Sequence, residues 1–153
     1  MREMTPADVP AVIEVQEPGA VRALAGVFAQ DQHPFPREAI AARWLREIDL
    51  PGTDCFVVMH EDVVAGFVAT RGDELLHFGI AVGHWGTGLA TFAHYAVLGL
   101  LREHGVARAR LRVFTGNGRA RRFYEKHAWR PTGERSRSSF APHPELLGYD
   151  LPL

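Results

Sequence analysis

The sequence predicts a mixed α/β fold, a mostly antiparallel sheet flanked by helices, in one domain over residues 1–153. Three observations carry this. Apolar residues recur at helical spacing before residue 50, β-branched and aromatic runs dominate from Cys55 to Val82, and helix and strand patterns then alternate to the end. A chain of this length buries roughly 70% of its unfolded surface, so it supports its own core without a staple.

The elements follow in order. Thr5-Pro6-Ala7-Asp8 reads as a helix start, with proline tolerated in the first turn and the aspartate favoured near the positive end of the dipole. Val9, Val12 and Ile13 follow at helical spacing, and a second helical stretch covers Val21 to about Ala29, ended by Gln30-Asp31-Gln32-His33-Pro34-Phe35-Pro36. Arg37 to Ile48 gives a third, with Ile40, Trp44 and Ile48 on one face. Cys55–His60 and Val63–Thr70, separated by Glu61-Asp62, form a hairpin, and Leu75–Val82 adds a strand after the turn Arg71-Gly72-Asp73. A long helix runs from Leu89 to about His104, with Leu89, Phe92, Ala96 and Leu100 on one side and Gly105 as its stop. Ala109–Phe114 alternates as a half-exposed strand, Gly118 to His127 forms a short helix, and strands near Thr132–Phe140 and Leu146–Leu151 close the chain.

Composition narrows the function. Formal charge is -1, so bulk electrostatics gives no reason to expect nucleic acid or a membrane as partner. Cys55 is the sole cysteine, which excludes an internal disulfide, and no apolar run reaches the roughly 18 residues of a membrane span. With no signal-peptide core at the start, a soluble cytoplasmic protein is expected. The eight histidines are dispersed without a metal-ligand spacing, so no metal is expected.

The informative segment is Gly83-His84-Trp85-Gly86-Thr87-Gly88, set between a strand and a helix. Glycines permit close backbone approach, and the first amides of the helix lack intrahelical partners, so the turn suits a phosphate. Three ligands compete: a nucleoside triphosphate, a dinucleotide, or the pyrophosphate of coenzyme A. A P-loop needs Lys-Ser/Thr where Leu89 and Ala90 stand. The dinucleotide fingerprint needs a third glycine where Thr91 stands and an acid where Arg110 and Arg112 lie. A glycine turn with no ligand at all stays open.

Taken with its flanks, the segment resembles the GNAT superfamily of N-acetyltransferases. That family's pyrophosphate motif is Arg or Gln, two free positions, Gly, one free position, Gly or Ala, and Trp85 to Ala90 matches it at all but the first position. Phe78-Gly79-Ile80 matches the strand that lines the pantetheine. A second motif, Asn-x-x-Ala-x-x-Phe-Tyr-x-x-x-Gly-Phe, is matched from Asn117 through Ala120, Phe123 and Tyr124, with Ala128 for glycine and Trp129 for phenylalanine. The Trp-Gly-x-Gly form followed by Ala-Thr resembles the branch acting on ribosomal protein N-termini.

The resemblance implies a GNAT-like acyl-CoA N-acyltransferase fold and transfer of acetyl from acetyl-CoA to a primary amine, directly in a ternary complex. It places Phe78, Gly79, Ile80, Gly86, Thr87, Gly88, Leu89, Ala90, Thr91 and Asn117 against the coenzyme. Asn117 serves equally well as a helix cap. Tyr124 would protonate the departing thiolate, and an amide near Ile80 would bind the oxyanion. Glu74 is nominated as general base, because six residues of regular strand put it on the same face as Ile80. His77 falls on the opposite face and ranks lower unless a bulge intervenes. Cys55 reads as a buried structural thiol rather than an acetyl carrier. The acceptor slot is expected near Asp31, His33, Phe35 and Glu134 to Phe140. The implied partners are a small-molecule or protein amine, with a homodimer compatible with the family. A non-catalytic acyl-CoA sensor would need the glycine turn but neither Tyr124 nor Glu74.

Overall fold

A computed structural model describes residues 1–153. Seven strands form one sheet in the order β1-β2-β3-β4-β5-β7-β6: β1 (Arg2–Glu3), β2 (Thr53–His60), β3 (Val63–Arg71), β4 (Glu74–Ile80), β5 (Arg108–Phe114), β6 (Arg130–Arg137) and β7 (Glu145–Pro152). Every pairing is antiparallel except β4 with β5. The mixed, mostly antiparallel α/β expectation therefore holds. The β2–β3 hairpin turns at Glu61 and Asp62, both at positive φ, a conformation that short acidic side chains tolerate.

Four helices cover the two faces: α1 (Val9–Ala23), α2 (Arg37–Ile48), α3 (Leu89–Glu103) and α4 (Gly118–Lys126). On one face Val9, Val12, Ile13, Ile40 and Trp44 from α1 and α2 pack on Cys55, Val57, Phe67 and Ala69. On the other, Ala93, Val97, Leu98 and Leu101 of α3 and Tyr124 of α4 pack on Val68, Leu75, Leu111 and Val113. β3 is covered on both sides, which is why Ala65 to Thr70 are buried without alternation.

Three sequence expectations are corrected. The two early helical stretches are one helix to Ala23, followed by turns through Val27. Pro18 lies inside it and forfeits one backbone bond, and burial of the apolar stripe at Val9, Val12 and Ile13 offsets that loss. The buried face of α3 is Ala93, His94, Val97, Leu98 and Leu101, while Phe92 is 63% exposed. This helix is apolar almost all round, so periodicity fixes its type but not its phase. β6 begins at Arg130 and ends at Arg137, short of Phe140. The two-residue strand β1 carries no periodic signal and was not expected.

Candidate active site

The parallel neighbours β4 and β5 pair only at Glu74↔Arg110 and Leu75↔Leu111. Beyond that point they diverge, and a cleft of about 630 Å³ opens between them. Its walls are the β4 edge from Leu76 to Ile80, β5 from Arg112 to Phe114, α1 at Gln16, Gly19 and Ala20, the glycine turn, and α4. From Leu76 onward β4 has no strand partner on this side, so its backbone polar groups there are available to a ligand, except the Ile80 carbonyl, which accepts from Trp85 Nε1 at 2.9 Å.

The glycine turn has the expected form. Gly86 and Gly88 take φ of +81° and +93°, values that side-chain-bearing residues rarely adopt, and Gly88 caps α3. The first intrahelical bond runs from Phe92 N–H to the Gly88 carbonyl at 3.0 Å. The amides of Leu89, Ala90 and Thr91 are therefore left without intrahelical acceptors, at the positive end of a 15-residue helix.

Gly86, Gly88, Ala90 and Thr91 line the cleft together with Phe78, Gly79, Ile80, Asn117 and Tyr124. The side chains of Thr87 and Leu89 do not. Thr87 Oγ1 donates to the His84 carbonyl at 2.8 Å, and Leu89 packs toward the core. Gly79 is required sterically, since a Cβ there would come within 2.3 Å of the Phe67 ring. The Asn117 side chain accepts from Ala120 N–H at 3.1 Å and so caps α4 while facing the cleft.

Tyr124 is buried, with its ring edge-on to Phe123 and Trp129. Burial pushes its phenol above the ordinary value, so it stays protonated at neutral pH. Its position is set by the end of α4. Trp129 N–H bonds the Tyr124 carbonyl at 3.1 Å and Ala128 N–H bonds Glu125 at 3.2 Å, the paired closure that places residue 128 at φ +68°. Glycine is the family's residue at that position.

Glu74 is corrected. Leu75 pairs with Thr70 and His77 with Ala69, so Leu76 is an extra residue on β4. That bulge inverts the alternation, and Glu74 lies on the opposite face from Ile80, outside the cleft lining. Its carboxylate accepts from Arg112 Nε at 2.8 Å, tying β4 to β5 at the fork.

His77 does line the cleft. Its Nε2 lies 2.8 Å from Glu47 Oε2, and its ring meets Trp44 edge-on at 5.0 Å. Burial holds the imidazole below its ordinary value despite the carboxylate. Burial also opposes the charge of Glu47, but the hydrogen bond from His77, with Arg43 and Arg71 nearby, keeps that carboxyl below its usual range. The pair is thus a neutral imidazole beside a carboxylate. Glu47 was missed in sequence. Its signal was a charged residue one turn from Trp44 on the buried face of α2.

Cys55 is buried among the α1 and α2 contacts, away from the cleft, and burial pushes its thiol up to about 11. The residues expected around the acceptor, Asp31, His33, Phe35 and Glu134 to Phe140, do not line the cleft, and Arg135 is paired with Glu145 at 2.7 Å. Val15, Gln16, Ala20, Phe114 and Leu146 stand at the cleft instead.

Residues 20–129 match the acetyltransferase (GNAT) family. Among solved structures, the chain is similar to a GCN5-related N-acetyltransferase from Rhodopseudomonas palustris, at 16% identity and TM-score 0.80, over 99% of this chain and 94% of that one. It is similar to the ribosomal-protein-S18-alanine N-acetyltransferase of Escherichia coli at 17% identity and TM-score 0.72, over 99% and 91%. A PaiA N-acetyltransferase from Thermoplasma acidophilum, solved in complex with coenzyme A, gives 15% identity and TM-score 0.73 over 96% and 95%. At these identities the likeness is one of fold. Comparison with curated proteins gives no match.

Proposed function

The chain belongs to the acetyltransferase (GNAT) family, and from that premise we propose that it transfers acetyl from acetyl-CoA directly to a primary amine held in the β4–β5 cleft. The observation that carries this is the convergence on one cleft of the open amides of the glycine turn, the unpartnered edge of β4, Tyr124 and His77.

The amides of Ala90 and Thr91, with that of Leu89 held only by a 3.5 Å bond to Thr87 Oγ1, suit the pyrophosphate, and the β4 edge from Phe78 to Ile80, its Ile80 carbonyl excepted, suits the amide-bearing pantetheine arm, which can bond it as a strand would. Bound there, the coenzyme supplies an activated thioester. An amide near Ile80 would stabilise negative charge developing on the carbonyl oxygen.

His77, oriented through Nε2 by Glu47, has Nδ1 left to accept the amine proton as nitrogen attacks. The new C–N bond forms, the C–S bond breaks, and Tyr124 O–H donates a hydrogen bond to the departing sulfur. A raised phenol is a weaker acid than a thiol of pKa ~8.5, so Tyr124 keeps its proton and stabilises the departing thiolate by hydrogen bonding, while the proton taken up by His77 passes to solvent. Direct transfer is supported by the placement of Cys55 in the core, where it cannot carry an acetyl group.

Acceptors include small molecules and exposed protein amines. A panel of amines and peptides assayed for free CoA tests the reading. Amine-dependent release is expected, and coenzyme binding without release on any acceptor would replace it with a sensor role.

A further inference from the structure

The turn departs from its family motif at Trp85, where arginine or glutamine is usual, and the surroundings of that indole supply what the substitution removed. Trp85 Nε1 donates to the Ile80 carbonyl at 2.9 Å, fixing the ring across the base of the turn. The Arg119 guanidinium, from the first turn of α4, lies over the ring at 4.0 Å, and that of Arg22, from α1, at 5.5 Å. Three elements around the mouth of the cleft therefore meet on one aromatic platform.

Arg2, Arg37, Arg43, Arg71, Arg108, Arg110, Arg112 and Arg135 each pair with a carboxylate. At the cleft, Arg119, Arg122 and Lys126 have no such partner, nor does Arg22 beside it, and no aspartate or glutamate is in the lining. A guanidinium held over an indole uses its face for the aromatic contact and keeps its N–H edges free, the geometry suited to a bidentate bond with phosphate oxygens.

We propose that Trp85 is a platform that orients Arg119, with Arg22 as a second cation, to bind the pyrophosphate of the coenzyme, replacing the cationic or amide side chain of the usual motif. The assignment to the pyrophosphate, rather than the 3′-phosphate, follows from Trp85 opening the turn whose free amides lead into α3. It rests on the coenzyme reading above and adds the residues that set affinity for it.

Calorimetric binding of acetyl-CoA, 3′-dephospho-acetyl-CoA and S-acetylpantetheine to the wild-type protein and to Arg119→Ala tests this. The variant is expected to weaken both nucleotide ligands about tenfold or more and to leave S-acetylpantetheine unchanged. Arg119→Lys, which keeps charge but loses the planar fork, should fall between. Trp85→Leu should weaken the nucleotide ligands similarly, with Arg119→Ala adding less in that background than alone. Equal affinities in the wild type and Arg119→Ala would overturn the proposal while leaving the coenzyme reading intact. A loss confined to acetyl-CoA would overturn the pyrophosphate assignment. No binding of any of the three to the wild type would overturn both.

Discussion

Tyr124 and His77 reach the cleft from opposite sides, one from α4 and one from β4, and the role proposed for each is separable from its neighbours. Tyr124→Phe keeps the ring that packs against Trp129 but removes the proton. It should lower kcat by about 100-fold or more with the dissociation constant for acetyl-CoA unchanged, as separate turnover and binding measurements would show. For the base, His77→Gln and Glu74→Gln should part company. The proposed base is neutral His77, so activity should rise with pH through an acid limb below ~6.5, the side to which burial moves this imidazole. That limb should vanish in His77→Gln. In Glu74→Gln the profile should persist with kcat within about twofold, since an exposed pair such as Glu74 with Arg112 stabilises by only ~0–1 kcal/mol. His94 supplies a second pH effect. It is wholly buried, its Nε2 accepts from Trp129 Nε1 at 2.9 Å, and burial followed by the neighbouring His127 lowers it to about 4. The folded state therefore binds fewer protons than the unfolded chain between about pH 6.5 and about 4, and stability falls as pH drops through that window. By linkage the loss is roughly 2–3 kcal/mol. Urea midpoints at pH 7 and pH 5 should differ less in His94→Gln than in the wild type.

Most elements were legible because their period is local. The hairpin from Cys55, the helix from Arg37 to Ile48 and the strand–turn–helix around Gly86 follow from residue spacing and turn chemistry alone. Facing was less legible. One extra residue, Leu76, reverses every side chain on its N-terminal side relative to Ile80, and no feature of Glu74-Leu75-Leu76-His77 announces a bulge. The Glu47–His77 contact joins residues 30 apart across α2 and β4, so spacing could not reveal it. The end of α4 is where a motif departure becomes an energetic statement. Ala128 occupies a left-handed position at φ +68° that favours glycine. Ala128→Gly should stabilise the fold by about 1 kcal/mol and raise Tm by a few degrees in a thermal scan, with kcat unchanged. A lower Tm would mean that the closure around Trp129 depends on more than backbone conformation.

At the scale of the whole molecule, function depends on a sheet that fails to stay closed. Two parallel strands pair at one end and separate, one helix N-terminus faces the gap, and the helices on both faces contribute its walls. The charged side chains lining the cleft are cations, among apolar and neutral polar ones, with no carboxylate. A polycationic amine such as spermidine should therefore be acetylated at least about tenfold less efficiently, by kcat/KM, than an uncharged-tailed primary amine of similar length, because its extra charges meet no counter-ion. The central claim is that one cleft both holds acetyl-CoA and passes its acetyl group to an amine with Tyr124 at the sulfur. The most direct measurement is amine-dependent free CoA release by the wild type and Tyr124→Phe at saturating acetyl-CoA, with binding confirmed in both. The account predicts release in the wild type and loss of about 100-fold in the variant. Equal rates in the two, or binding with no release on any amine, would contradict it.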